Sequence, residues 1–220
     1  MNILKKIVAV GVAVVLGAGG MVCAQEDEFQ FEEQVRVARL NDLEIMTGDS
    51  DGDFHPYRVL TRAELAKIAV LMSNPSFEMV EDTAVFPDVD KEHWAYEYIQ
   101  YAGKNGILSG HDDGKFCPDD EATVQEFIKT MVTILGYSFQ AEQTGGYPSG
   151  YIMSGMRLGI TGRISAKTDS GITRIEAAEM AALSLDVPLM VESGDGEYVI
   201  CDGSSPEYPE MTLAKKNYMP

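Results

Sequence analysis

The sequence is poor in cysteine, histidine, tryptophan and positive charge, and beyond its first residues it has no long apolar run. Its 220 residues hold three cysteines, three histidines and one tryptophan, with 17 Lys and Arg against 35 Asp and Glu. Cys23 falls in the N-terminal leader, and Cys117 and Cys201 lie far apart without metal-ligand spacing, so no disulfide framework carries the fold. One bridge between them and two free thiols both stay open. His55, His93 and His111 are isolated. There is no His-Glu-x-x-His, no Gly-x-Ser-x-Gly and no phosphate-binding glycine loop, so the residues give no support to an enzyme, and no metal or cofactor is expected. A formal net charge of −18 repels nucleic acid and anionic lipid wherever no local basic site is built. Solubility outside the cell is its simplest explanation.

What is present begins with an export leader. Lys5 and Lys6 precede the apolar core Ile7 to Leu16, and Val22-Cys23-Ala24 ends in small residues suited to cleavage after Ala24. A membrane anchor would need a longer run than one interrupted by Gly17, Gly19 and Gly20, and a lipoprotein would need a smaller residue than Val22 before Cys23. Residues 1–24 are therefore read as a signal peptide, and no stable membrane insertion is expected after its removal. Loss of the two leader lysines takes the formal charge to −20.

The rest of the chain repeats itself. Ile45-Met46-Thr47-Gly48-Asp49-Ser50-Asp51-Gly52-Asp53-Phe54 aligns with Ile107-Leu108-Ser109-Gly110-His111-Asp112-Asp113-Gly114-Lys115-Phe116 at an offset of 62 residues. The same offset relates Thr61-Arg62-Ala63-Glu64 to Thr123-Val124-Gln125-Glu126. A weaker third copy runs from Leu158-Gly159-Ile160-Thr161-Gly162 to Thr173-Arg174-Ile175-Glu176. Each Thr-x-x-Glu is the signature of a capping box: the threonine hydroxyl accepts from the amide three residues on, and the glutamate reaches back to the threonine amide. Apolar stripes at helical spacing follow, such as Leu65, Ile68, Ala69 and Met72, or Phe127, Ile128, Met131 and Leu135. A further amphipathic segment precedes each glycine-rich turn, for example Trp94, Tyr98, Ile99 and Ala102.

The repeat unit is thus helix, Gly/Asp-rich loop, capped helix. One such pair cannot bury its own stripe, so three copies should pack around a common centre. The expected divisions are 29–72, 86–136 and 146–186, followed by a tail over 187–220 to which no fold is assigned beyond a short strand pair around Glu197–Cys201. Asp49-x-Asp51-x-Asp53 suggests a calcium loop, but Phe54 and Leu60 stand where an EF-hand needs Gly and Glu. Looser calcium binding by clustered carboxylates stays open.

Phe86-Pro87-Asp88-Val89, His93-Trp94-Ala95, Ile99, Ala102, Gly106-Ile107, Gly110, Asp113-Gly114, Phe116 and Pro118 closely resemble the S-layer homology domain, and Thr61-Arg62-Ala63-Glu64 resembles the start of that family's signature helix. The resemblance covers most of residues 29–186. The first copy lacks the Phe-Pro-Asp-Val and His-Trp opening, and the third lacks the Asp-Gly-x-Phe-x-Pro run. It implies a mainly α fold of three helix–loop–helix repeats packed as a pseudo-threefold spindle, with an irregular tail. It also implies a secreted, non-catalytic cell-wall anchor that binds an anionic secondary cell-wall polysaccharide, often pyruvylated, in grooves between repeats. Other surface-layer proteins are a second class of partner.

Arg62 and Arg174, each in the first turn of a capped helix, are the candidate anion contacts, since a helix N-terminus with free amides plus a guanidinium suits a carboxylate. Val124 stands where the second copy would carry its arginine, so at most two grooves are expected to be competent. Trp94 is a candidate sugar platform or a core residue, and Arg157 and Arg163 could add charge. Thr61, Glu64, Thr123, Glu126, Thr173 and Glu176 are read as capping residues. Two alternatives remain: an extracellular protein–protein assembly module, or a truncated anchor lacking its cargo.

Overall fold

The computed structural model describes residues 22–49, 52–78, 84–162 and 167–219, with side chains from residue 32 onward. The charged and apolar parts of the leader, Asp51 of the Asp-x-Asp-x-Asp run, and Arg163 lie outside these residues. The described chain is mainly helical, as its sequence predicts. Its helices are α1 (Val22–Asp42), α2 (Arg62–Ser73), α3 (Tyr96–Lys104), α4 (Val124–Ile134), α5 (Ser138–Gln143), α6 (Ser149–Arg157), α7 (Arg174–Ser184) and α8 (Leu213–Tyr218), with a hairpin of β1 (Met190–Glu192) and β2 (Tyr198–Ile200). None of the described helices is long and apolar enough to cross a membrane.

The capped helices α2, α4 and α7 begin alike. In each, the threonine preceding the helix has extended backbone, accepts from the amide of the glutamate three residues on, and receives that glutamate's carboxylate at its own amide. Such caps stabilise a helix by about 1 kcal/mol each. The residues just before the caps then close on one another. The Leu60 amide donates to the Ile172 carbonyl, Ile172 to Ala122, and Ala122 to Leu60, each at 2.9 Å. All three side chains are fully buried at this centre. A second tier repeats the cyclic order: Arg62 donates to the Asp120 carbonyl, Val124 to Ser170 and Arg174 to Arg58. A third tier joins Ala63 to Pro118, Gln125 to Thr168 and Ile175 to Pro56. The N-terminal amides that a helix leaves unpaired are therefore all taken: two donate to the neighbouring loop, one to the capping threonine's hydroxyl, and the threonine's own amide to the glutamate carboxylate.

The helix pairs do not follow the sequence repeat. The helix leading each copy lies chiefly on the capped helix of the preceding copy: α3 on α2, α6 on α4 and, closing the circle, α1 on α7. Each apolar stripe is thus buried by a different copy, which is why the copies share one core.

The tail seals the far end. The Met190 amide donates to the Leu135 carbonyl at the end of α4, the Ala214 amide to Leu185 at the end of α7, and Asn217 Nδ2 to Met72 (2.8 Å) and Ser73 (3.1 Å) at the end of α2. The three capped helices thereby have terminal carbonyls satisfied by one segment. Gly136, at φ +88°, permits this approach, because a Cβ there would lie 2.0 Å from the Met190 carbonyl oxygen.

Candidate functional site

Two grooves of nearly equal volume, about 700 and 670 Å³, open beside the capped ends of α2 and α4. They are built from equivalent residues. Thr47 and Gly48 line the first where Ser109 and Gly110 line the second; Glu64 and Lys67 match Glu126 and Lys129 at the 62-residue offset. The rim aromatics match as well. Trp94 directly precedes Ala95, the N-cap of α3, and Tyr147 directly precedes Pro148, the N-cap of α6. Both rings are open to solvent, at 57% and 46% exposure, so Trp94 stands at the first groove and not in the core.

Each groove floor holds an arginine from the preceding capped segment. Arg62 lies 4% exposed across the second groove, its Nε donating to the Phe116 carbonyl (2.7 Å), one terminal nitrogen to the Ser109 carbonyl (3.1 Å) and the other to the Glu126 carboxylate. Its guanidinium also covers the Phe116 ring at 4.7 Å. Arg174 repeats this in the first groove: Nε donates to the Phe54 carbonyl (2.7 Å), the terminal nitrogens to the Thr47 carbonyl (2.7 Å) and Glu64 (3.4 Å), and Phe54 lies beneath at 4.7 Å. The arginine therefore clasps the Gly/Asp loop of the next copy. Three of its five N–H donors are used this way, leaving one on each terminal nitrogen.

The free helix amides expected beside these arginines are absent, because the neighbouring loop carbonyls already occupy them. Any contact with an anion in the grooves would have to come from side chains. Lys67 and Lys129, one turn beyond each capping glutamate, are half-buried and line the two grooves. Lys129 Nζ lies 5.1 Å from the centre of the Tyr147 ring. These lysines and Tyr147 were missed in the sequence, although the 62-residue offset already pairs the lysines.

The loops that frame the grooves are held tightly. The Asp88 carboxylate accepts from the Phe116 and Cys117 amides at 2.9 and 2.8 Å. Partial burial pushes this carboxyl up, but the two amides bring it below the ordinary carboxylate value. A side chain at Gly110 would collide with the Lys115 carbonyl at 2.7 Å and the Phe86 ring at 2.8 Å. In the first groove, Arg58 binds Glu64 (2.6 Å) and Asp49 (3.2 Å). Burial acts to raise the Glu64 carboxyl, and the Arg58 hydrogen bond and Thr61 amide outweigh it, so the net shift is downward.

The third corner differs. Val124 replaces the floor arginine, and Glu179 stands on α7 where Lys67 and Lys129 stand on α2 and α4. Glu179 is 9% exposed, is paired with Arg36 of α1 at 3.0 Å, and lies against Gly162. An acid–base pair occupies the place of a free cation.

His93 serves the turn before α3, its Nδ1 accepting from the Ala95 amide at 3.1 Å. Arg157 ends α6 away from the residues lining either groove.

Residues 36–66 and 85–128 match the S-layer homology domain family. The chain carries S-layer homology domain sequence in these two segments. The matched segments carry the Gly/Asp loops, the first two capping threonines and Trp94. Among known proteins it is similar to a cell surface protein of Thermoanaerobacter kivui, 29% identical over 74% of this chain and 21% of that protein. It is also similar to a surface layer protein of Brevibacillus choshinensis, 26% identical over 72% of this chain and 15% of that protein. A cellulosome-anchoring protein of Acetivibrio thermocellus is 32% identical over 44% of this chain and 22% of its own length. The chain thus spans roughly a fifth or less of these relatives.

Proposed function

We propose that this protein is a non-catalytic cell-wall anchor, and that it holds an anionic secondary cell-wall polysaccharide in the two equivalent grooves. Cell-wall anchoring at the general level follows from the family and from relatives named as surface-layer and cellulosome-anchoring proteins. The protein is secreted and associated with the cell wall. The finer reading rests on one observation: the same set of half-buried lysine, floor arginine and exposed aromatic ring recurs in both grooves of a chain whose net charge is −18.

An acidic protein attracts an acidic polymer only where local cations are aimed at it. Lys67 and Lys129 supply those cations, and Arg174 and Arg62 line the same spaces. A carboxylate such as a pyruvate ketal would accept from both, with charge-assisted hydrogen bonds of about 1.5–3 kcal/mol each. Trp94 and Tyr147 offer flat apolar faces to a sugar ring at the rim. The capping residues and the clasp of each arginine on its loop keep the groove preorganised, which limits the ordering cost on binding.

The test is co-sedimentation with peptidoglycan sacculi before and after acid removal of the attached polysaccharide. Binding to native sacculi that disappears on stripping supports the reading. Equal binding to both, or to neither, contradicts it.

A further inference from the structure

We propose that His111, Cys117 and Asp120 form a divalent transition-metal site, best suited to Zn²⁺, at the edge of the second groove. The ligand-capable atoms of these three side chains lie within 4.8 Å of one another. Imidazole, thiolate and carboxylate together are a borderline-soft set that favours Zn²⁺ over Ca²⁺ or Mg²⁺. Three protein ligands leave a fourth tetrahedral position for water. His111 and Asp120 are exposed, so their side chains can turn the short distance needed to reach bonding range, while Cys117 is a free, half-buried thiol.

The first copy explains why a cation belongs here. At the 62-residue offset, His111 corresponds to Asp49, Cys117 to His55 and Asp120 to Arg58. In the first groove the Arg58 guanidinium fills this place, bound to Asp49 at 3.2 Å. The second groove has lost that arginine and carries an aspartate instead. Its three positions hold an imidazole, a thiol and a carboxylate where the first copy holds a carboxylate, an imidazole and a guanidinium. A protein cation has thus been exchanged for a donor set that takes a metal cation. The charge balances: Zn²⁺ with one thiolate and one carboxylate is neutral, as is the Arg58–Asp49 pair. Cys117 also lies in a negative field. The neighbouring carboxylates of Asp120, Asp88 and Asp113 attract a divalent ion. Because His111 lines the second groove, the ion would sit beside it where Arg58 sits beside the first.

The spacing His-x5-Cys-x2-Asp is not a zinc-ligand pattern read from sequence, which is why the sequence suggested no metal. The loop turn that pairs the His111 amide with the Lys115 carbonyl at 2.7 Å folds the segment back and brings the three groups together.

The experiment is Zn²⁺ titration of the full chain freed only of its export segment, stripped with chelator, against a colorimetric competitor. Wild type is expected to bind one equivalent. Cys117→Ser and Asp120→Arg should each weaken binding by more than about 100-fold, beyond the scale of losses seen when groups behind the ligands are removed. Asp120→Arg installs the first copy's arginine, so it should keep the fold while excluding the metal. Cys201→Ser is expected to bind as wild type. Co²⁺ in place of Zn²⁺ should give a thiolate-to-metal charge-transfer absorption that Cys117→Ser abolishes. Absence of zinc uptake by wild type overturns the proposal. So does undiminished uptake by folded Cys117→Ser or Asp120→Arg.

Discussion

Replacing Arg62 by alanine should reduce stability more than replacing Arg174, although the two residues occupy equivalent places. Arg62 has a side chain only 5% exposed, and its partner Glu126 is 21% exposed. Its removal leaves the Phe116 and Ser109 carbonyls without their donor, takes the stacked cation off the Phe116 ring, and strands the Glu126 carboxylate with only its own cap contacts. Breaking a buried pair from one side costs about 3–5 kcal/mol, and partial access of water to Glu126 places this one near 3 kcal/mol. At about 2–4 °C per kcal/mol for a chain of this size, the melting temperature should fall by about 6–12 °C. Arg174→Ala removes two carbonyl contacts as well, but Glu64 keeps Arg58 at 2.6 Å. No carboxylate is stranded, so the expected loss is about 2 kcal/mol. The assay is thermal unfolding of both variants followed by circular dichroism. A melting temperature for Arg62→Ala within about 2 °C of wild type, or a loss for Arg174→Ala that equals or exceeds it, would refute the reasoning.

Gly136→Ala should push the β1 strand off the end of α4, because its Cβ would meet the Met190 carbonyl and its φ is unfavourable for a side chain; limited proteolysis should then cut the tail near residues 202–210, which stay intact in wild type. Stability should hold from neutral pH down to about pH 5 and fall below it. The sign follows from Glu64 and Asp88: their folded-state values are depressed, so their contribution is present above the unfolded value and lost as pH falls through the folded one. Melting curves from pH 7 to pH 3 check this, and Glu64→Gln should make the decline shallower.

The capped helices were legible because a capping box is local chemistry: Thr61 and Glu64, Thr123 and Glu126, and Thr173 and Glu176 need only three residues' separation to satisfy each other. The grooves were half legible. Trp94, Arg62 and Arg174 could be named from the pattern, but not that α3 leans on α2 instead of α4, since the sequence repeat carries no record of which copy covers which stripe. That pairing brings Trp94 of the second copy to the groove of the first. The helix-end amides pointed toward anion binding because the partner carbonyls of Pro118, Asp120, Ser170 and Arg58 lie far off in sequence. The tail gave the weakest signal. Its role depends on carbonyls at Leu135, Leu185 and Met72, and backbone acceptors leave no trace in side-chain patterning.

The central claim is that two grooves, each served by one lysine, bind an anionic wall polysaccharide. Calorimetric titration of purified polysaccharide into wild type, Lys67→Ala, Lys129→Ala and the double variant tests it most directly. Each lysine should contribute about 2 kcal/mol, or roughly 30-fold in affinity, at its own groove. The account predicts two sites in wild type, one strong site in each single variant and none of comparable strength in the double variant, with melting temperatures unchanged. Undiminished binding by the folded double variant would contradict it.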